Sequence, residues 1–261
     1  MLIDGTTYLG RWPFRKLRCT DADSLAMRME RCGIERALVA SLDAVLYKDV
    51  MSGNEALAEE IAGKKARFTP FAVINPNYIC WKKDMIACVE RLGMRGVELF
   101  PIYHGYDATL PALKELLNLA AEMDVPVRLP GRLVDVRGRH WMDAPENLEA
   151  EDMRAIVRLC GRTRFMLSSC SAASVARAME AELKEREGEV LFGISKTDPF
   201  SFMLTFQALR EQVGAKGMFF ESCLPFQYPE PQLVKLHFGG LTEGEIAQVC
   251  AGNLLRLLKE A

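Results

Sequence analysis

Residues 5–14 read Gly5-Thr6-Thr7-Tyr8-Leu9-Gly10-Arg11-Trp12-Pro13-Phe14 and follow a first strand candidate at residues 2–4. A doubly wound open sheet usually places a glycine-rich phosphate turn, Gly-x-Gly-x-x-Gly, directly after its first strand. The spacing of the glycines in this segment does not match that turn. The segment therefore favours a closed barrel over an open sheet.

The rest of the chain alternates short apolar or β-branched runs with amphipathic stretches of helical period. Eight strand candidates lie at residues 2–4, 36–41, 68–74, 96–100, 126–129, 164–168, 189–194 and 217–221. Helix signals mark a run capped by Thr20 and ended by Gly33, and residues 54–65, 81–92, 110–123, 149–159, 172–186, 199–212, 242–249 and 253–259. Eight strand–helix units predict a single (β/α)₈ TIM barrel, one domain over residues 1–261, with the active site at the carboxyl ends of the strands.

Composition limits the classes of partner. The chain has 33 Lys and Arg against 35 Asp and Glu, a formal net charge of −2, so it lacks the overall positive field that holds nucleic acid or an anionic membrane. We expect a small-molecule ligand instead. There is no apolar run of membrane-spanning length and no signal-peptide pattern at the start, so the expected location is cytoplasmic. The eight scattered cysteines, without a Cys-x-x-Cys pair, are expected to be reduced thiols.

The barrel prediction makes the ends of the strands the informative positions. The candidates on this rim do not form a histidine cluster. They are Thr6, Tyr8, Arg11, Asp43, Asn75, Asn77, Glu98, His104, Arg128, Arg132, Arg137, Arg139, His140, Ser168, Ser169, Ser195, Lys196, Glu221, Ser222 and Cys223.

Sequence motifs along most of the chain occur in a recognisable order. They are Ile3-Asp4 with Leu9-Gly10, Asn54-Glu55-Ala56-Leu57, Arg67-Phe68-Thr69-Pro70-Phe71 with Asn75-Pro76, Gly93-Met94-Arg95-Gly96-Val97-Glu98-Leu99, Val125-Pro126-Val127, Arg164-Phe165-Met166-Leu167, Phe219-Phe220-Glu221-Ser222-Cys223-Leu224-Pro225 and Asn253-Leu254-Leu255-Arg256-Leu257. By the order and spacing of these motifs, the sequence resembles the amidohydrolase-related branch of the amidohydrolase superfamily. The resemblance implies a metal-dependent TIM-barrel hydrolase, with a homodimer as a family-level expectation.

The resemblance also assigns positions to the family's metal ligands. The paired histidines of the first strand correspond to Thr6 and Tyr8, and the final aspartate corresponds to Cys223. The other two histidine positions hold Pro130 and Ser169. Because a divalent site needs three or four converging nitrogen, oxygen or thiolate donors, we expect no metal and no cofactor, and no metal-bound hydroxide as nucleophile. A rebuilt site from Glu98, Glu221, Cys223 and His104 stays open as an alternative.

Two features suggest a ligand of negative charge. Period-two alternation puts Glu98 and Arg128 on the inward faces of neighbouring strands, where they would form a buried ion pair or let Arg128 reach a ligand carboxylate. The loop 131–141 carries Arg132, Arg137 and Arg139, and a guanidinium binds carboxylate or phosphate bidentately. A solvated loop is the alternative for these arginines. The predicted ligand-binding residues are Arg11, Arg128, Arg132, Asn75 and Ser169.

Proton carriers and nucleophiles are scarce on this rim. His140, His104 or Glu98 could carry a proton, and the Tyr8 phenol could donate a hydrogen bond to a carbonyl or carboxylate. Cys223 would be a nucleophile if a neighbouring base lowered its pKa, although Glu221 nearby would raise it. The aromatic side chains near the mouth, Tyr8, Trp12, Phe14, Tyr103, Tyr106 and Trp141, would form the walls of a ligand pocket or fill the core.

Two functional hypotheses follow. One is a metal-independent enzyme, a hydrolase, lactonase or decarboxylase (carboxy-lyase), acting on a small carboxylated compound. The other is a non-catalytic barrel, a pseudoenzyme that has lost its metal ligands and binds a small anion or pairs with a catalytic paralogue. A proton carrier beside Arg128 and Tyr8 would favour the enzyme. Histidines turned away, together with Glu98 held by Arg128, would favour binding.

Overall fold

The computed structural model describes residues 1–143, 146–195 and 202–260. Eight strands are hydrogen-bonded in chain order, and every neighbouring pair is parallel. They are β1 (Ile3–Leu9), β2 (Arg36–Ser41), β3 (Phe68–Val73), β4 (Gly96–Glu98), β5 (Val127–Pro130), β6 (Phe165–Ser168), β7 (Val190–Gly193) and β8 (Met218–Phe219). With helices between the strands, this is the (β/α)₈ barrel that the sequence predicts.

The barrel closes where the chain after β8 lies beside β1. The Gly5 amide donates to the Phe220 carbonyl at 2.8 Å, and the Tyr8 amide donates to the Leu224 carbonyl at 2.9 Å. Thr7 and Leu224 form a parallel bridge. The segment after β8 therefore serves as the last part of the barrel wall although it is too irregular to count as strand.

The first strand is longer than predicted, and its predicted end at residue 4 is wrong. Register with β2 is interrupted between Asp4 and Thr7 and then resumes through Leu9 opposite Ser41. Thr6 and Tyr8 consequently lie within the strand and not in a loop after it. The prediction failed because the glycine and threonines read as a turn, whereas pairing with β2 holds them extended.

Thirteen α-helices surround the sheet in the part of the chain that the structure describes. They are α1 (Ala22–Arg31), α2 (Leu42–Leu46), α3 (Val50–Glu60), α4 (Trp81–Glu90), α5 (Pro101–His104), α6 (Pro111–Glu122), α7 (Ala150–Arg158), α8 (Ala172–Ala178), α9 (Glu180–Glu185), α10 (Phe202–Val213), α11 (Glu230–Phe238), α12 (Glu243–Ala247) and α13 (Asn253–Leu258). The sequence did not predict α2, α5 or α11. The side chain of Asp21, and not that of Thr20, caps α1 in a capping box.

Two predicted helices differ in extent. The run at 172–186 is interrupted at Met179, whose backbone at φ −113° and ψ 23° leaves the helical region, so α8 and α9 are separate. The predicted helix at 199–212 corresponds to α10, and its first three residues lie outside the described residues, as does the rim candidate Lys196.

The barrel interior is filled with side chains. Phe71, Met166, Leu191 and Phe219 are fully buried in the inner cluster, while a second cluster fills the space between the sheet and the helices. Gly96 accommodates the ring of Phe71, because a Cβ at that glycine would overlap the ring. The polar groups of the candidate site are therefore set in a packed interior rather than in an open channel. The described helices include none with the length and apolarity that a membrane crossing needs.

Candidate functional site

The centre of the barrel holds a buried network of Glu98, Arg128 and Tyr8. Glu98 and Arg128 are partners in the β4–β5 register, and Arg128 Nη2 donates to Glu98 Oε2 at 2.5 Å. The Tyr8 hydroxyl donates to Glu98 Oε1 at 2.9 Å. Arg128 Nη1 also donates to the carbonyls of Gly5 and Leu38, at 2.7 and 3.0 Å. Both carboxylate oxygens of Glu98 are thus engaged by the protein itself.

Burial and neighbouring groups shift the pKa values of Arg128 and Tyr8. Burial by itself lowers the pKa of Arg128, but Glu98 and then Tyr8 outweigh that effect and raise it. Burial, followed by the charge of Glu98, raises the pKa of the Tyr8 phenol well above its ordinary value. The Arg128 guanidinium also lies 4.9 Å from the centroid of the Phe71 ring and 5.6 Å from that of Tyr8. Arg128 is therefore held on several sides. Of its three guanidinium nitrogens, only Nε has no hydrogen-bond partner among the described residues.

A second polar cluster lies between β6, β7 and β8 and is organised by Glu221. Its Oε1 accepts hydrogen bonds from the Ser169 amide at 3.0 Å, the Ser195 amide at 3.2 Å and the Ser195 hydroxyl at 2.6 Å. The carboxylate occupies space above Gly193 that a Cβ would fill. Burial raises the pKa of Glu221, and these hydrogen bonds oppose the rise.

Asp4 and Lys235 extend this cluster and were not among the sequence candidates. Asp4 Oδ1 accepts from the Ser222 amide at 2.9 Å and the Thr6 amide at 3.2 Å, and burial raises the Asp4 pKa to about 7. Lys235 Nζ, from α11, donates to the Ile194 and Ser195 carbonyls, and burial lowers its pKa to about 7. Asp4 could have been singled out by its place in the opening motif, whereas Lys235 has no local signal because α11 was not predicted.

Several polar atoms in this second cluster have no hydrogen-bond partner. Among the described residues, the buried atoms without one include Asp4 Oδ2, Thr6 Oγ1, Ser168 Oγ, Ser169 Oγ and Glu221 Oε2. They belong to β1, to the carboxyl end of β6 and the residue after it, and to the segment that follows β8. Buried polar groups are rarely left unpaired, so such a concentration marks a place suited to water or a small polar ligand.

Ser169 and Cys223, two of the positions assigned to metal ligands, have left-handed backbones at φ 46° and 58°. Such φ values are uncommon for residues other than glycine and concentrate at functional sites. The Cys223 side chain is buried, and burial followed by the charge of Glu221 raises its thiol pKa well above the ordinary value. The environment of Cys223 therefore disfavours the thiolate that a nucleophile needs.

The two candidate histidines lie away from Arg128 and Tyr8. His104, at the end of α5, packs against Phe100 and Tyr106, and burial lowers its pKa to about 4. His140 stacks on Phe14, with ring centroids 6.0 Å apart, and its Nδ1 accepts from the Met142 amide. The structure does not bring either imidazole to the buried network.

The remaining ligand-binding candidates are dispersed. Arg11 is exposed. Asn75 accepts from the Asn77 amide at 3.0 Å in a local turn. Arg132 Nη2 donates to Asp135 Oδ2 at 2.8 Å, and Arg137 binds the same carboxylate, so the Asp135 pKa falls to about 2, with the Arg137 hydrogen bond as the main cause.

The mouth of the barrel is covered by aromatic rings. Trp12 packs edge-on against Phe226 and Tyr103, with centroid distances of 5.3 and 5.8 Å. Phe226 in turn lies 6.0 Å from Tyr8, and Phe100 lies 6.3 Å from Tyr103. These rings, the aromatic cap, leave Tyr8 only 1% exposed. They pack on one another above Tyr8.

A cavity of about 120 Å³ lies beside the cap, between the loops that follow β5 and β6. Two sequence candidates, Arg132 and Ser169, both line it, so the structure brings them together. The other lining residues are Gly131, Asn147, Leu148, Glu149, Ala150, Cys170, Ser171, Ser174 and Val175. The Arg132 side chain is 10% exposed, and its buried Nε has no partner among the described residues. We call this space the β5–β6 cavity.

The side chains at the centre do not fit a divalent transition metal. Thr6, Tyr8, Pro130 and Ser169 supply no imidazole or carboxylate, and burial raises the pKa of the Cys223 thiol. Within the described ranges, no group of three or more His, Cys, Asp and Glu residues could hold a metal ion. Glu98 and His104, two members of the alternative rebuilt site, belong to separate environments.

Comparison with known proteins places this geometry in a wider setting. The model of the amidohydrolase family matches residues 4–259. No curated protein matches the sequence significantly. The fold is similar to that of 2,6-dihydroxybenzoate decarboxylase from Rhizobium, with a TM-score of 0.72, 17% sequence identity and 99% of both chains covered. It is also similar to 5-carboxyvanillate decarboxylase from Sphingomonas paucimobilis, with a TM-score of 0.74, 12% identity, and 100% of this chain and 99% of that chain covered. A third similar structure is a probable 2-pyrone-4,6-dicarboxylic acid hydrolase from Acinetobacter baumannii, with a TM-score of 0.70, 9% identity and 99% of both chains covered. At these identities the likeness shows the fold alone.

Proposed function

Since the chain belongs to the amidohydrolase family, we propose that it is a member that binds a small carboxylated compound in the β5–β6 cavity without a divalent metal ion. The observation that carries this proposal is the convergence of Arg132 and Ser169 on one cavity. A guanidinium and a hydroxyl are together suited to hold a carboxylate by charge-assisted and neutral hydrogen bonds.

The Arg132 side chain is pre-organised to bind such a ligand. Asp135 holds its Nη2 from one side and so fixes the side chain, while the largely desolvated guanidinium keeps further N–H donors for a guest. A carboxylate would interact more strongly with this guanidinium than with an exposed arginine, because the site is partly removed from water. Glu149 also lines the cavity but is exposed, so its charge is screened.

The size of the cavity and the printed names of similar structures support a small acid. A cavity of about 150 Å³ holds a benzene ring, and the β5–β6 cavity is of comparable scale at about 120 Å³. The names of the similar structures include dihydroxybenzoate, carboxyvanillate and pyrone dicarboxylic acid, all of them carboxylated rings. We therefore propose a single-ring or smaller carboxylate as the ligand class.

Metal independence is supported by the donor chemistry at the centre. Tyr8 and Arg128 saturate Glu98, and the Cys223 thiol is in a site that disfavours its ionisation. The charge that a metal would bring is replaced by the guanidinium of Arg128. Binding in the β5–β6 cavity therefore relies on fixed charges and hydrogen bonds of the protein.

Binding without catalysis is favoured because the proposed proton carriers are not available to a ligand. Glu98 is locked in its network, His104 is enclosed by aromatic rings and His140 stacks on Phe14.

One observation supports a second candidate, a metal-independent decarboxylase or hydrolase. Glu221 accepts a hydrogen bond from the amide of Ser169, which lines the cavity, and its raised pKa suits a proton carrier.

The test is calorimetric titration of the purified protein with 2,6-dihydroxybenzoate, benzoate and citrate, with resorcinol as the ring that lacks a carboxylate. We expect at least one acid to bind and resorcinol to bind much more weakly. Arg132→Gln should weaken the acid by about tenfold or more, since a hydrogen bond to a charged group contributes about 1.5–3 kcal/mol.

The matched control is Arg137→Gln, which changes the same charge in the same loop at a residue that does not line the cavity. Equal loss in both variants, or no binding of any acid, would overturn the proposal. Product analysis by NMR over hours separates the two candidates: turnover that Glu221→Gln abolishes would establish catalysis, and unchanged acid would establish binding alone.

A further inference from the structure

A groove of about 470 Å³ is lined in part by Phe226 of the aromatic cap. It is formed by the segment between β1 and α1, by α1 itself and by the loop that follows β8. We call it the basic groove, because five of its lining residues are cationic: Arg15, Lys16, Arg18, Arg28 and Arg31. None of the residues that line it is acidic.

Most of this positive charge is not neutralised by the protein. Arg28 is paired with Glu230, at 2.6 Å between Nη2 and Oε1, and Arg15 Nη2 donates to the Phe226 carbonyl at 3.0 Å. Within the described ranges, Lys16, Arg18 and Arg31 form no ion pair. Water and salt screen the repulsion among these exposed cations, and a bound anion would interact favourably with all three.

The lining of the basic groove also includes apolar and aromatic side chains. Tyr228 is 60% exposed and Met27 is 57% exposed, although both are large apolar side chains. The Arg28 guanidinium lies 5.7 Å from the centroid of the Tyr228 ring, and Arg15 lies at the same distance from Phe226. A wall of rings and thioether next to cations suits a ligand with a flat ring at one end and negative charge at the other.

We propose that the basic groove binds a nucleoside polyphosphate, with its phosphates among Lys16, Arg18 and Arg31 and its base against Tyr228. Three uncompensated cations match a diphosphate or triphosphate better than a single carboxylate, and arginine and lysine are the side chains that bind phosphate. The volume lies within the range of about 300–1,000 Å³ that is usual for small-ligand sites. The site is independent of the β5–β6 cavity, which shares none of its lining residues.

The test is calorimetric titration with ADP, adenosine and inorganic pyrophosphate as probes. We expect ADP to bind, and adenosine and pyrophosphate each to bind about tenfold more weakly or worse, since each lacks one half of the recognition. The triple variant Lys16→Gln, Arg18→Gln, Arg31→Gln should weaken ADP binding by about tenfold or more. These three residues are exposed, so the variant is expected to keep the fold, which circular dichroism checks.

A matched control replaces three exposed cations elsewhere, Lys65→Gln, Lys82→Gln and Lys83→Gln, and should leave ADP binding unchanged. Absence of ADP binding at millimolar concentration would overturn the proposal, as would an equal loss in both triple variants. Pyrophosphate binding as tight as that of ADP would also overturn it, because the ring would then contribute nothing. Tyr228→Ala should weaken the binding of ADP but not the binding of pyrophosphate.

Discussion

Arg128 and Glu98 face each other across neighbouring strands and form a fully buried ion pair, at 2.5 Å between Nη2 and Oε2. The Tyr8 hydroxyl completes the network by donating to Glu98 Oε1. A buried pair is roughly neutral in net stability while both partners are present, but it is costly when one is removed.

The first prediction concerns this pair. Glu98→Gln leaves the guanidinium buried without its counter-charge and should lower the free energy of unfolding by about 3–5 kcal/mol. The double variant Glu98→Leu, Arg128→Met should lose much less stability than the sum of the losses in the single variants Glu98→Leu and Arg128→Met. Urea denaturation measures all four variants. The exposed pair Glu180–Lys184 is the control, and Glu180→Gln should leave the stability nearly unchanged because solvent screens the pair. Additive losses in the double variant would contradict the coupling.

The second prediction concerns the phenol of Tyr8. Tyr8→Phe keeps the ring in the aromatic cap but removes the donor to Glu98 Oε1, leaving a buried carboxylate oxygen unpaired. We expect a loss of about 1–3 kcal/mol. Tyr47→Phe, at an exposed tyrosine, serves as control and should be neutral. A Tyr8→Phe protein as stable as the wild type would show that Arg128 alone satisfies Glu98.

The third prediction is a pH dependence caused by Asp4. Its pKa is raised to about 7 in the folded protein, so between about pH 4 and 7 the folded state holds a proton that the unfolded state has lost. Stability from this residue is therefore fully present below about pH 4 and decreases as the pH rises to about 7. The difference in unfolding free energy between wild type and Asp4→Asn should fall across this window, by as much as about 4 kcal/mol. A difference that does not vary with pH would contradict the burial of an ionisable Asp4.

The fourth prediction tests the space that holds Glu221. Gly193→Ala places a methyl group against Glu221 Oε1 and should displace the carboxylate from Ser169 and Ser195, at a cost of about 1–3 kcal/mol or more. Gly161→Ala is the matched control, because a Cβ there meets nothing within 4 Å. Thermal unfolding compares the two. Equal melting temperatures would mean that Glu221 is not held as described.

The fifth prediction concerns metal content. If the protein works without a divalent ion, as we propose, dialysis against EDTA should leave the melting temperature unchanged, since the described residues contain no group of three or more His, Cys, Asp and Glu residues that could hold such an ion. Removal of a tightly bound ion would lower it by several degrees. Elemental analysis of the untreated protein is the independent measurement. Stoichiometric zinc or manganese, lost together with stability on chelation, would contradict the metal-independent proposal.

Much of the barrel could be predicted because it depends on local patterns. The run at residues 36–41 became β2 with the same bounds, since an uninterrupted apolar segment has one favourable conformation when buried on both faces. The inward placement of Glu98 and Arg128 followed from period-two alternation, and the structure brings them together. The strand was wrongly predicted to end before the segment Gly5–Leu9, because the turn-like residues of this segment are held extended by neighbours distant in sequence.

The site could be predicted only in part, because convergence of side chains depends on long-range contacts. Arg132 and Ser169 were named for different reasons, and only the packing of two loops places them on one cavity. Lys235 was missed because a single lysine in an unpredicted helix has no local sign that its ammonium is buried against the Ile194 carbonyl. His140 and His104 were predicted as proton carriers because an imidazole can carry a proton. The packing against Phe14 and Phe100 determines where their rings lie.

The sequence alone determined the closed barrel and the residue types at its centre, because strand periodicity and composition are local properties of the chain. The tertiary structure decided which of those residues meet: that Glu98 is occupied by Arg128 and Tyr8, that an aromatic cap covers them, and that the cationic side chains of residues 15–31 line a groove with Tyr228. The physical reason is that hydrogen bonds and charge interactions act over a few ångströms, and those distances between residues remote in the chain are fixed only by packing.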